Sequence, residues 1–333
     1  MKRRTIDPTP SYVVSKKGRV ADVGVNWYDI PELEGDGGID YLSNKYPHVR
    51  DQYIRFWDDG HIYNVDWDMN GDFSRSDHIT SVTTFTKKNF AQFNEDDTLR
   101  TMRRNKTKYM EWRDAYINYS TMDDDDIRFE WEQERNFASG KGSVMHNQIE
   151  MMYNGKRPEG PITVELNQFL PYFHEMRAKG WLPFRSEWKL WTNFLYSFVG
   201  TIDMLFMHSD ISLRRSVSSN GRVVLHLYMV DFKRSKDIPN QAFGNKRGSQ
   251  CCARFPDCKY FHYSLQLNAY RYILENFYHD ITVDGELYND IVVDTMHILA
   301  MHPIERDAYE LLTVGDHQDV IKALFYERLS PAT

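Results

Sequence analysis

The sequence predicts an α/β protein in which a mixed central β-sheet is flanked by helices, and three observations carry that expectation. Phe184–Trp191, Phe198–Met207, Val223–Lys233 and Ile291–Ala300 are short runs rich in aromatic and β-branched residues, and they read as strands. Ser139–Tyr153, Thr163–Lys179, Tyr260–Phe277 and His317–Arg328 read as helices, with Gly155 and Gly180 where helices commonly stop. The order is two helices, several strands, a long helix and a strand, without regular βαβ repetition, so the sheet should be mixed rather than doubly wound.

The remaining elements are shorter. Ile54–Asp66 holds two alternating runs around Asp58-Asp59-Gly60, a hairpin signal. Leu99–Tyr119 and Asp123–Phe137 read as helices, the second opening on four aspartates that suit the positive end of a helix dipole. Arg100, Arg103, Arg104, Lys106 and Lys108 form the densest basic cluster, either an exposed helix face or a phosphate-contacting one. The expected organisation is an irregular arm over 1–50, an α+β subdomain over 51–135 that could hold nucleic acid, and a core over 136–333.

Composition bounds the class. The 333 residues are 41% hydrophobic and 14% aromatic, which is enough to bury a core and too apolar for a disordered chain. No apolar run approaches the roughly 20 residues that cross a bilayer, and the amino terminus lacks the apolar core of a secretion signal. Cys251, Cys252 and Cys258 share one short segment, unlike a disulfide framework, so an intracellular setting is expected. A net charge of −7 argues against a generic nucleic-acid coat but leaves a local basic groove open.

The sharpest chemical signal is Val230-Asp231-Phe232-Lys233 at the end of an apolar strand, where residues two apart emerge on one face. Gly200-Thr201-Ile202-Asp203 opens another strand, and Ser216–Gly221 is suited to a reversal. An antiparallel register that sets 203 opposite 231 also sets 212 opposite 222, closing the loop. Two carboxylates and an ammonium would then meet, and the carboxylates would repel each other without a cation. Mg2+, a hard ion that takes oxygen ligands, is the natural solution. Asp203 and Asp231 would hold it, the Phe232 carbonyl would be a further donor, and Lys233 would orient water or stabilise charge on the phosphate. On the helix before the strands, Gly142, His146 and Glu150 share a face; on the long helix after them, His262, Gln266 and Tyr270 do so.

In order, Gly142-x-x-x-His146, Glu187, Gly200-Thr-Ile-Asp203, Asp231-Phe-Lys233 and Gln266-Leu-Asn-Ala-Tyr270 resemble the PD-(D/E)XK nuclease superfamily, in particular its RecB-type nucleases. The resemblance spans roughly 139–300. It implies a restriction-endonuclease-like core, with His146, Asp203 and Asp231 as metal ligands, Lys233 in catalysis, Gln266 and Tyr270 supporting the site, and Glu187 supporting or joining it. It implies Mg2+ or Mn2+ as cofactor and DNA, single- or double-stranded, as partner, with RNA left open because such a site reads the phosphate. Exonuclease is preferred to endonuclease, in DNA processing, repair or recombination; the alternative is a catalytically silent nuclease fold that binds nucleic acid or protein. The layout is also similar to nuclease-like proteins of large DNA viruses, which would place it in the cytoplasm or a viral replication compartment. Some relatives carry a cysteine-bound iron–sulfur cluster, but three cysteines between Lys233 and Gln266 do not fit its pattern, and none is expected. Cys252, Cys258 and His262 as a zinc site match no firm spacing. Lys236, Lys246, Arg247 and Arg254, after the catalytic strand, are candidate backbone contacts.

Overall fold

The structure, a computed structural model, describes residues 38–57, 60–73, 79–104, 122–158 and 160–329. Most of the expected 1–50 arm, the hairpin tip at Asp58 and Asp59, and Lys106 and Lys108 of the basic cluster lie outside those residues.

Seven strands build the central sheet. The long ones are β4 (Trp181–Trp191), β5 (Phe198–His208), β7 (Val223–Arg234) and β10 (Asp290–Met301); the short ones are β3 (Thr80–Ser81), β6 (Arg215–Val217) and β11 (Glu310–Thr313). β4 with β5, β5 with β7 and β10 with β11 run antiparallel, whereas β10 with β7 and β3 with β5 run parallel. The sheet is therefore mixed, as its element order requires. β1 (Ile54–Trp57) and β2 (Ile62–Val65) form a separate antiparallel hairpin, and β8 (Ile281–Val283) and β9 (Glu286–Tyr288) another.

Helices cover both faces. On one, α4 (Asp124–Tyr153) and α5 (Val164–Ala178) pack Met145, Ile149, Phe169 and Phe173 onto Met204, Phe206, Val230 and Phe232. On the other, α7 (Lys259–Phe277) and α8 (Gln318–Leu329) pack Leu265, Ile273 and Phe325 onto Ile202, Leu205, Leu227 and Met229. Alternating residues of one strand thus feed two cores, which is why β7 reads as an almost continuous apolar run. Four shorter helices complete the description: α1 (Tyr41–Lys45), α2 (Val82–Lys87), α3 (Glu95–Arg104) and α6 (Ile211–Arg214).

Three expectations need correction. The helices expected at Asp123–Phe137 and Ser139–Tyr153 are one 30-residue helix, with Gly140 and Gly142 inside it. A glycine costs a helix only about 1 kcal/mol, too little to end one with a packed carboxyl-terminal half. Residue 135, the last of the expected amino-terminal subdomain, lies within this helix. The helix expected from Leu99 begins earlier, at Glu95, where three acidic residues occupy the first turn. Finally, the register of β5 on β7 has the expected sum, with Met204 opposite Val230 and Met207 opposite Leu227, but it does not run on to 212 and 222. There α6, capped by Asp210, turns the chain, and β6 pairs with β7 in another register, Arg215 opposite Leu225.

Candidate metal centre

The site lies where β5 and β7 part. Their ladder stops at Met204 and Val230, one residue short of Asp203 and Asp231. Beyond it Asp203 Oδ2 accepts the Phe232 backbone N–H at 2.7 Å, so a carboxylate occupies the place of a ladder carbonyl. Facing residues in β5 break step here. Ile202 and Leu205 belong to the α7-side core, whereas Met204 and Phe206 belong to the α4 side, so the alternation slips at Asp203.

The neighbouring strand has a matching irregularity. Glu187, between the cross-strand pairs Ser186 with Met204 and Trp188 with Ile202, has φ of 44°. The left-handed region costs a residue with a side chain about 1–2 kcal/mol, so its surroundings must enforce it. Asp51, in a 3-10 turn at Val49–Tyr53, clamps both sides: its carboxylate accepts from Arg185 Nη1 at 2.8 Å and from Trp188 Nε1 at 2.7 Å. Comparing Glu187→Gly with Glu187→Ala isolates this strain. The glycine variant should be the more stable by up to about 1 kcal/mol in denaturant unfolding with chelator present, whereas an alanine variant more stable than glycine would refute the strain.

These distortions turn Glu187 and Asp203 toward α4. His146, two turns from the end of that helix, places Nδ1 3.2 Å from Glu187 Oε1 and 3.7 Å from Asp203 Oδ2. The ligand atoms of His146, Glu187 and Asp203 all lie within 4.8 Å of one another, the one group of three metal-binding side chains of this kind among the described residues. Asp231 is outside that group. It ion-pairs with Lys233, Oδ2 to Nζ 2.6 Å, and Lys233 stands 5.1 Å from the centre of the Tyr263 ring on α7.

The charges are strongly coupled. Burial depresses the His146 pKa, but Asp203 and Glu187 outweigh it and raise the value to about 9. Asp203 is raised by burial, against the pull of His146 and Lys233. Burial lifts Asp231 to about 6, helped by the charge of Asp203 and opposed by Lys233. Lys233 is pushed up because Asp231 and Asp203 outweigh its desolvation. A divalent cation fits this set. Apart from the Lys233 ammonium, the two buried oxygens of Asp231 meet no hydrogen-bond donor, and burial holds the Asp203 and Asp231 pKa values up, a cost that a cation bound among them would relieve.

The supporting residues come from α7 and from the hairpin. Gln266 Nε2 donates to the Tyr270 hydroxyl at 3.2 Å, both residues being buried. A side chain at Gly200 would put Cβ 2.4 Å from Tyr270 Cε1, so the glycine three residues before Asp203 exists to admit that ring. His262 leaves this stripe: it bonds Asp257 and packs against the Phe90 ring at a tilt, 4.2 Å between ring centres. The Phe232 ring is buried on the α4 side, edge-on to His146. Sequence reasoning missed Tyr63 of β2, whose hydroxyl meets Thr201 Oγ1 at 2.9 Å, because a contact across 138 residues leaves no local pattern.

Several of the other sequence candidates are occupied elsewhere. Arg100 pairs with Asp97, Arg103 with Asp124, and Arg128 with Asp96 and Asp125, so α3 and the start of α4 neutralise each other. Asp123 caps α4, accepting from the Asp125 and Asp126 N–H groups, which is the helix-start reading of the aspartate run. Arg254 pairs with Asp319, and Arg247 donates to the Arg254 carbonyl. All three cysteines carry free thiols.

No protein-family model matches this chain, and no curated protein matches it either. Fold and site together define an α/β protein with a helix-flanked mixed sheet and a His/Glu/Asp cluster able to bind a divalent metal ion. Among the described residues no helix is long and apolar enough to cross a membrane.

Proposed function

We propose that this protein is a metal-dependent nuclease of the PD-(D/E)XK type, hydrolysing phosphodiester bonds of DNA. The observation that carries the reading is the meeting of His146, Glu187 and Asp203 within 4.8 Å, at a fork between strands whose other branch presents the Asp231–Lys233 pair. Isolated Asp-x-Lys sequences end many strands, but few face a helix-borne imidazole and two further acids.

His146, Asp203 and Asp231 would hold the ion, with Glu187 and the Phe232 carbonyl as further donors. Imidazole with carboxylates suits Mn2+, and carboxylates alone suit Mg2+. The ion would supply Lewis-acid polarisation of the phosphate and a water acidic enough to lose its proton near neutral pH. The chain's own contribution is electrostatic and positional. Lys233, held charged beside two acids, would offer an ammonium to the charge gathering on the phosphate oxygens or to the attacking water. Tyr270 and Gln266 fix the floor under β5, and Gly200 lets them approach it.

Exonuclease action in DNA processing, repair or recombination is the preferred form, by the same resemblance. The test is incubation with single- and double-stranded DNA labelled at either end, with Mg2+, Mn2+ or chelator. Metal-dependent release of labelled mononucleotides from one end supports exonuclease action. Folded protein that cuts no DNA or RNA substrate with either ion would overturn the assignment and leave a nucleic-acid or protein-binding module.

A further inference from the structure

The nuclease reading leaves open how a strand reaches the cluster, and two features beside it bear on that question. On β4, Trp188 and Leu190 turn into the α7-side core, so Glu187, Lys189 and Trp191 succeed one another on the other face. Glu187 belongs to the metal cluster, and Trp191 is covered by the hairpin segment through Tyr63, Val65 and Trp67. Lys189 lies between them, directly across from Thr201 and its Tyr63 contact. It is partly exposed, and no described residue gives its ammonium an ion pair or hydrogen bond. Each step of two residues along the strand covers roughly 6.6 Å, comparable with one nucleotide of extended backbone.

The second feature is the outer face of the hairpin. Ile54, Phe56, Tyr63 and Val65 turn inward to pack on Trp191 and Val199. Arg55, Trp57 and Ile62 turn outward; Trp57 and Ile62 are cross-strand partners, 47% and 55% exposed, and Arg55 lies 3.8 Å from the centre of the Phe73 ring. An exposed indole beside an aliphatic residue and a guanidinium can stack a base of any identity.

We propose that Lys189 and the outer face of the β1–β2 hairpin form a track for an unpaired nucleic-acid strand leading to the cluster. Lys189 takes a phosphate next to the scissile one, and Trp57 with Ile62 stacks a base beyond it. The proposal rests on the nuclease reading for its direction, but it can be tested without cleavage.

The test is fluorescence anisotropy of the full chain with a labelled single-stranded oligonucleotide, and with the blunt duplex of the same sequence, in chelator at several salt concentrations. Wild type should prefer the single strand. Trp57→Ala should weaken that binding about 5- to 100-fold, while Trp57→Phe retains most of it. Lys189→Ala should weaken it too and flatten the dependence of log affinity on log salt by about 0.7. Both variants of the track, with melting temperatures unchanged, binding the single strand as wild type does would overturn the proposal, as would equal affinity of wild type for strand and duplex. Should this binding pattern hold while no substrate is ever cut, the track stands and the nuclease reading falls. Cleavage with track variants that bind normally means the reverse.

Discussion

Asp203→Asn should lose cleavage by about three orders of magnitude while the fold survives. The expected size follows from removing a proposed ligand of an ion that would supply several kcal/mol of charge stabilisation at the phosphate. Survival of the fold follows from what Asp203 does structurally: its Oδ2 accepts the Phe232 N–H, and an asparagine amide oxygen can accept the same bond. The variant also leaves Glu187 alone to balance His146, so the imidazolium loses one of the two charges that hold it. Single-turnover cleavage at saturating Mn2+, beside a melting curve, checks both halves. Cleavage within tenfold of wild type would remove Asp203 from the centre.

Lys233→Met should have the largest effect on stability. Asp231 would then be a buried carboxylate without its ion-pair partner, near the charge of Asp203 and with only the more distant His146 to offset it, and breaking a buried pair in this way costs about 3 kcal/mol or more. The sign with pH follows from Asp231. Its pKa, already raised to about 6 in the folded protein, rises further without the ammonium. A carboxyl group whose folded pKa exceeds its unfolded one contributes stability that is fully present below the unfolded value near 4 and is lost as pH climbs through the folded value. The variant's deficit against wild type should therefore be small at pH 5 and large at pH 8 in chelator, and Mn2+ should recover part of it. Denaturant unfolding at the two pH values decides this; a deficit that is equal at both would contradict the account.

These expectations show how unevenly the site was legible. Asp231 and Lys233 were readable because a period of two is a local property of a strand, and His146 because its helix signature is equally local. The pairing of β5 with β7 was readable from the position of two acids. The extra turn at α6 was not, since Asp210 and Ser212 initiate it by capping within a stretch rich in polar and basic residues. What periodicity cannot report is a broken period. The slip at Asp203 and the positive φ at Glu187 move both acids toward His146, and the residues flanking Glu187, Arg185 and Trp188, are held by Asp51, more than 130 residues away in sequence. That is why Glu187 reads from sequence as a supporting acid but touches the imidazole directly. The continuous α4 was obscured for the opposite reason: Gly140 and Gly142 look like a boundary, yet tertiary packing overrides their cost.

In the proposed centre a divalent ion would take the place of the proton that His146 holds between Asp203 and Glu187. Because that pKa stands at about 9, the imidazole is charged at pH 7.5 and must release its proton to become a ligand. Calorimetric titration of the wild-type protein with Mn2+ at pH 7.5, repeated in buffers of different ionisation enthalpy, counts released protons directly. One ion bound per chain with close to one proton released, both lost in Asp203→Asn, is the outcome this account requires. Binding that releases no proton, or that persists undiminished without Asp203, would contradict it.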